Sequence, residues 1–254
     1  MKYIDINSDL GEAYGVYQFG NDEGLLNLVS SANVACGVHA GDPTVMRQTV
    51  ERALACGVSV GAHPSYPDRQ GFGRRVMELS AKALYDHVVY QLGALSVFVD
   101  VAGGRLRHVK PHGALYNVAA KDRSVADAIV AATWDVSPQL AMYAPYGSEL
   151  AIAAADKGLA VVHEVFADRR YEADGALTPR THADAVIHDV QAAIAQVVQM
   201  VQTGTVIART GETVNIVADT VCLHGDNPDA PAFAAALIST LTEAGIQVQA
   251  PTQE

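Results

Sequence analysis

One pattern recurs along the chain and limits what it can become. A short apolar run is followed by a turn, most often rich in Gly, Pro or Asp, and then by apolar residues at three-to-four spacing. The runs lie near residues 3–6, 32–36, 58–62, 106–110, 140–144, 159–164 and 220–223, with a weaker one at 246–249. Such alternation specifies parallel strands joined by right-handed crossover helices. About seven such units in 254 residues predict an α/β fold of the TIM-like (β/α) barrel type. A doubly wound open sheet is the alternative architecture. No linker or composition break divides the chain, so residues 1–254 read as a single domain. Two β-like runs flank Thr210-Gly211, which predicts a β-hairpin insertion over 205–217.

The helical segments carry end signals. Met46, Val50, Ala53 and Leu54 form one stripe that stops before Gly57. Ser80 precedes a helix with Leu84, Val88, Leu92 and Leu95 inward. An Ala-rich helix runs from Ser148 to Lys157 and ends at Gly158. Thr181 reads as the N-cap of the longest helix, with Val186, Val190, Ile194, Val197 and Val201 inward and Gly204 as its stop. Pro231 and Gly245 fit the first turn and the end of the last helix.

Charge narrows the partners. Lys and Arg total 17 and Asp and Glu 28, a formal charge of −11. An acidic surface repels phosphate backbones and anionic lipid, so neither nucleic acid nor a membrane is an expected partner. No stretch of about 18 residues is continuously apolar. The first residues lack a basic segment followed by an apolar one, and Cys36, Cys56 and Cys222 form no CxxC. Both features suit a cytoplasmic protein with reduced thiols buried as small hydrophobes.

In parallel βα folds the active site forms from the loops at the carboxyl ends of the strands. Here those ends are polar. Asp9 and Glu12 follow the first run, His39 and Asp42 the second, His63 and Asp68 the third, and Lys110 and His112 the fourth. Glu164 and Asp168 follow the sixth, and His224 and Asp226 the seventh. Converging imidazoles and carboxylates are the ligands of a divalent metal or the machinery of acid/base chemistry. Singly, each has a plainer reading. Asp9 can close a turn, Glu12 can be a solvated surface group, Asp42 can cap the next helix, and His63 and His112 can mark strand ends. Independent structural needs would not gather all of them at one end, so a catalytic or metal site is predicted there. His87, His182 and His188 read as surface residues, and His108 and His163 as core groups.

Arg74 and Arg75 in GFGRR read equally as an anion-binding pair or as a solvated pair. No GxxxxGK[ST] occurs, so no nucleotide loop is recognisable. GVSVG matches GxSxG in letters, but Ser59 falls where a helix ends and a strand begins, the wrong place for a nucleophile.

Six blocks, in order, closely resemble the LamB/YcsF family: DINSDLGE, SANVACGVHAGDP, GAHPSYPDRQGFGRR, HVKPHGALYN, EVFADRRYEADGALTPR and LHGDNP. They span residues 5–228. The resemblance implies a distorted seven-stranded (β/α) barrel similar to the glycoside hydrolase/deacetylase superfamily. It implies ATP-dependent cleavage of 5-oxo-L-proline (pyroglutamate) to L-glutamate, together with two partner proteins, the 5-oxoprolinase subunits B and C. Ser8 stands where many members carry Cys, which suggests that a thiol there is dispensable.

Opening a lactam is amide hydrolysis, which needs an activated water and a stabilised oxyanion. On that reading the partners use ATP to activate the lactam oxygen, and this chain hydrolyses the ring. Asp9, His39 and His63 would hold a divalent metal of unspecified identity or position the water. Glu12 or Asp42 would be the general base. Lys110 and His112 would stabilise the oxyanion or protonate the leaving nitrogen. Arg74 or Arg75 would grip the substrate carboxylate, with Glu164 and His224 also in the substrate site. Two rival functions share these residues: a metal-dependent amidase or carbohydrate deacetylase that needs no ATP, and a non-catalytic protein that only docks substrate.

Overall fold

A computed structural model describes residues 2–223 and 229–252. His224 and Asp226 lie outside the described residues. The elements run β1 (Lys2–Leu10), α1 (Asp22–Leu26), β2 (Ser31–Ala35), α2 (Pro43–Ala55), β3 (Ser59–His63), α3 (Ala81–Val101) and β4 (Leu106–Val109). They continue with α4 (Gly113–Ala119), α5 (Arg123–Val136), β5 (Ala141–Pro145), α6 (Glu149–Lys157) and β6 (Val161–Phe166). The last are α7 (Val190–Thr203), β7 (Thr205–Ile207), β8 (Thr213–Asn215), β9 (Thr220–Leu223), α8 (Ala230–Glu243) and β10 (Ile246–Val248).

The parallel sheet follows the order β1-β2-β3-β4-β5-β6-β9 and closes through β1–β9, making a seven-stranded barrel. β1 is long enough to serve two neighbours on one side. Lys2–Ile4 pair with β10, and Asp5 onward pairs with β9. β7 and β8 form a separate antiparallel pair, Thr205 opposite Asn215. No helix among the described residues is long and apolar enough to cross a membrane.

Side chains alternate across a strand, and here the alternation separates two interiors. Ile4, Ile6 and Leu10 of β1 join the main apolar core between sheet and helices. Asp5, Asn7 and Asp9 point into the barrel. Tyr143 OH and Thr220 Oγ1 donate to Asp5 at 3.0 and 2.6 Å. Asn7 Nδ2 donates to Glu164 and Thr220 at 3.0 and 2.8 Å, and Asn33 donates to Asn7 Oδ1 at 2.7 Å. Barrels of this class usually fill this space with branched apolar residues. Here a small apolar cluster of Ala141, Tyr143 and Val162 sits apart from the main core, and much of the rest is a connected polar network. Buried polar groups are costly without a partner, and the Asp5, Asn7 and Asn33 side chains each find one here, whereas His108 Nδ1 has none among the described residues. His108 enters it at 2.7 Å from Asn33 Oδ1. Gly61 makes room for that ring, since a Cβ there would lie 2.1 Å from His108 Nε2.

Three sequence expectations change. The longest helix is α3, and α7 begins at Val190 under an Asp189 cap that accepts from Ala192 N. Thr181 is not a cap, because residues 169–188 form a strap tied by bridges Arg169–Val186 and Tyr171–Leu177. His188 therefore precedes the helix and lines the main cavity. Cys36 and Cys222 are buried thiols, but Cys56 is exposed.

Candidate active site and metal centre

The carboxyl ends of β1 to β4 deliver Glu12, His39, His63 and His112 to one place, where one ligand atom from each lies within 4.8 Å of all the others. Backbone carbonyls fix two of the rings. His63 Nδ1 lies 2.7 Å from Lys110 O, and His112 Nε2 lies 2.8 Å from Phe72 O. A carbonyl can only accept, so each of those nitrogens carries a hydrogen. The remaining nitrogens face each other, His63 Nε2 to His112 Nδ1, at 2.9 Å. Burial, and then His63, push the His112 pKa down to about 3. Burial, with His112 and His63 close by, also holds His39 well below the usual imidazole value.

Glu12 Oε1 lies 3.1 Å from His39 Nε2 and 3.4 Å from His112 Nδ1. His39 stacks on His112 at 4.0 Å, and its Nδ1 is buried with no hydrogen-bond partner. Three imidazoles converging beside a carboxylate suit a divalent cation, and backbone carbonyls behind two of the rings are the usual outer support. The residues present therefore fit a metal ion.

Beneath this cluster sits Lys110. Its Nζ lies 2.7 Å from Glu164 Oε1, 3.1 Å from Asp9 Oδ1, 3.1 Å from Asn7 Oδ1 and 3.0 Å from Cys222 Sγ. An ammonium has three protons, and here four acceptors surround it. Burial alone would lower its pKa, but Asp9, Cys222 and Glu164 raise it well above the ordinary lysine value. Burial opposes ionisation of Asp9, yet the His63 ring and the Lys110 ammonium hold that carboxyl well below its usual range. Asp9 Oδ2 stands 3.3 Å from His63 Nε2, so Asp9 links the cluster to the buried ion pair.

Several expected site residues fall elsewhere. Asp42 caps α2, accepting from Thr44 N and Val45 N at 2.8 and 2.9 Å and from Gly15 N at 2.7 Å. Those bonds engage both oxygens, and Asp42 does not line the cavity. Arg75 is ion-paired with Asp68, and Arg74 alone of the two lines the cavity. Glu164 does not line the cavity. It is buried in β6, where Tyr116 OH donates to its second oxygen at 2.5 Å. Ser8 bonds Leu223 O at 2.7 Å from the strand face opposite Asp9, so it does not reach the site. Of the expected metal set, His39 and His63 gather with Glu12 and His112 into a group that could hold an ion, and Asp9 stands beside it, 3.3 Å from His63.

Sequence reading missed Asn7, Asn33, Tyr116 and Phe72. Every second residue of DINSD is polar, and that period was the available signal for Asn7. Phe72 is the one non-glycine with positive φ (55°) among the described residues. The conformation is strained for a bulky residue, and it turns the Phe72 carbonyl onto His112.

The cluster opens into a cavity of about 840 Å³ whose lining includes Asp9, Glu12, His63, Lys110, Arg74 and Arg169. That volume suits a small organic substrate.

The model of the LamB/YcsF family matches residues 4–254. An A-type 5-oxoprolinase subunit of Bordetella pertussis is 54% identical over 247 residues, covering 97% of this chain and 98% of that protein. Its counterpart from Brevibacillus brevis is 51% identical over 250 residues, covering 98% of each. The crystal structure of a lactam utilization protein from Thermus thermophilus superposes with a TM-score of 0.94 at 44% identity. It covers 99% of this chain and 100% of that one.

Proposed function

The chain belongs to the LamB/YcsF family, and from that premise we propose that it is the ring-opening component of an ATP-dependent 5-oxoprolinase. In this reading it hydrolyses 5-oxo-L-proline to L-glutamate in a multi-subunit assembly. The partners, subunits B and C, use ATP to activate the lactam oxygen, because no nucleotide loop is recognisable here. The observation that carries the chemistry is the 2.9 Å approach of His63 Nε2 and His112 Nδ1 beside Glu12 and Asp9.

His39, His63, His112 and Glu12 would hold a divalent ion, which supplies Lewis acidity for the carbonyl being attacked. Asp9 orients the attacking water and takes its proton. The carbon–oxygen bond forms, the ring C–N bond breaks, and that proton passes to the departing nitrogen, which becomes the amine of glutamate. The phosphoryl group that ATP placed on the lactam oxygen stays on the new carboxyl as an acyl phosphate, which a second water hydrolyses to the carboxylate and inorganic phosphate. Lys110 does not donate to substrate, since its protons are already engaged. It acts as a fixed positive charge below Asp9, holding that carboxylate in place and ionised. Arg74, on the cavity wall, is placed to attract an anionic substrate.

Glutamate release from 5-oxo-L-proline tests this reading, with the chain alone and with subunits B and C, each with and without ATP. Release only with partners and ATP is expected. Release by the chain alone would make it a self-sufficient amidase. No release under any condition would sink the reading.

A further inference from the structure

Arg169 follows β6, which stands opposite β2 and β3 in the ring of strands, so it lies across the barrel mouth from the imidazole cluster. It lines the same cavity as that cluster. Its backbone is fixed twice over. Gln196 of α7 donates to the carbonyls of Phe166, Ala167 and Arg169 at 3.4, 3.1 and 2.9 Å. The strap pairs Arg169 with Val186.

Arg169 is only 8% exposed, yet among the described residues its guanidinium makes one hydrogen bond, from Nη2 to Thr178 O at 2.6 Å, and its Nε is buried without a partner. Guanidinium has five donors and is rarely buried without a counter-charge. Arg180 lines the cavity too, and its like charge adds to burial in lowering the Arg169 pKa, against the weaker pull of Asp168. With Arg74 also on its wall, a protein of net charge −11 has thus turned three guanidinium groups into the cavity that holds its imidazole cluster. A group that only tied down the strap would direct its donors to strap carbonyls. This one keeps a donor in reserve at a cost in desolvation.

We propose that Arg169, with Arg180 beside it, forms an oxyanion-binding subsite that takes an anionic group of the substrate, either its carboxylate or a phosphoryl group it carries. Both present paired oxygens that match the guanidinium fork. The subsite anchors the ligand on the β6 side of the cavity, so that its reacting carbonyl reaches the imidazole cluster on the β1–β4 side. The identity of the substrate rests on the proposed function, whereas the anion chemistry does not.

Calorimetric titration of the full chain tests it, using 5-oxo-L-proline, 2-pyrrolidinone (the same lactam without the carboxylate) and inorganic phosphate. In Arg169→Gln, binding of 5-oxo-L-proline should weaken about tenfold to a hundredfold, the usual loss for a charge-assisted contact. Binding of 2-pyrrolidinone should not change between wild type and variant. Arg169→Lys should recover part of the loss, and Arg180→Gln should show a smaller one. Loss confined to phosphate in the same variants also supports the subsite and assigns it to a phosphoryl group. Equal binding of both anions by wild type and variants would overturn it, as would failure of wild type to bind either. Arg180 is exposed, so Arg180→Gln decides the matter if Arg169→Gln does not fold. Failure of glutamate release with unaltered anion results would count against the lactamase reading alone.

Discussion

Lys110 Nζ lies 2.7 Å from Glu164 Oε1 inside the barrel, with side-chain exposures of 4% and 0%. The two residues come from inward-facing positions of a closed sheet, 54 positions apart in the chain. Removing one partner of a buried pair leaves an uncompensated charge. Lys110→Met should therefore cost about 3–5 kcal/mol of stability, with Asp9 and Glu164 both left facing an apolar chain. Adding Glu164→Gln should recover part of that loss. Urea unfolding of the two single variants and the double variant gives the coupling. Strict additivity would show that the pair does not act as a unit.

The imidazole cluster predicts that His63→Ala abolishes turnover in the assembly and removes the thermal stabilisation that a divalent ion confers on the chain. Asp9→Asn should abolish turnover while leaving that stabilisation largely in place, because Asp9 stands outside the ligand set. Thermal melts with and without added metal, and after chelation, separate the two roles. Wild-type turnover by both variants would remove these residues from the mechanism.

Acid should weaken the fold through its buried rings. Burial, with Lys110 and His63 nearby, lowers the His108 pKa from 6.5 to about 3, and burial with His63 does the same for His112. Between those values the unfolded chain binds protons that the folded chain refuses. Stability is thus intact above pH 6.5 and falls as the pH drops toward about 3, by up to about 1.4 kcal/mol per pH unit for each ring. A His108→Gln variant should show a shallower decline between pH 6 and 4. A profile as steep as wild type would count against this account.

Gly61 sits where β3 meets the His108 ring. Gly61→Ala would set a methyl 2.1 Å from His108 Nε2, so the ring must leave its place beside Asn33. Overpacking of this kind costs about 1–3 kcal/mol, read as a lower urea midpoint. Unchanged stability would mean that the interior is looser than its hydrogen bonds imply.

The alternation of apolar runs and helical stripes determined the barrel. Strand period and helix period are local properties, and a parallel sheet of this many units with short connections has few ways to close. The same local logic put Glu12, His39, His63 and His112 at one end, since each follows its strand directly. It could not say which of the gathered groups share a site. Asp42 and His39 are three residues apart, yet one caps a helix and the other faces the imidazole cluster.

The start of α7 also escaped it, because the strap over residues 169–188 exists only through pairing between Arg169 and Val186. The polar interior was written in the alternation of Asp5, Asn7 and Asp9, but its meaning required closure. Only when β9 meets β1 do Thr220, Glu164 and Lys110 come within bonding distance of those side chains. Local sequence determines which way a side chain faces. Tertiary structure alone decides what it meets, because contacts across a barrel join residues whose separation along the chain carries no local signal.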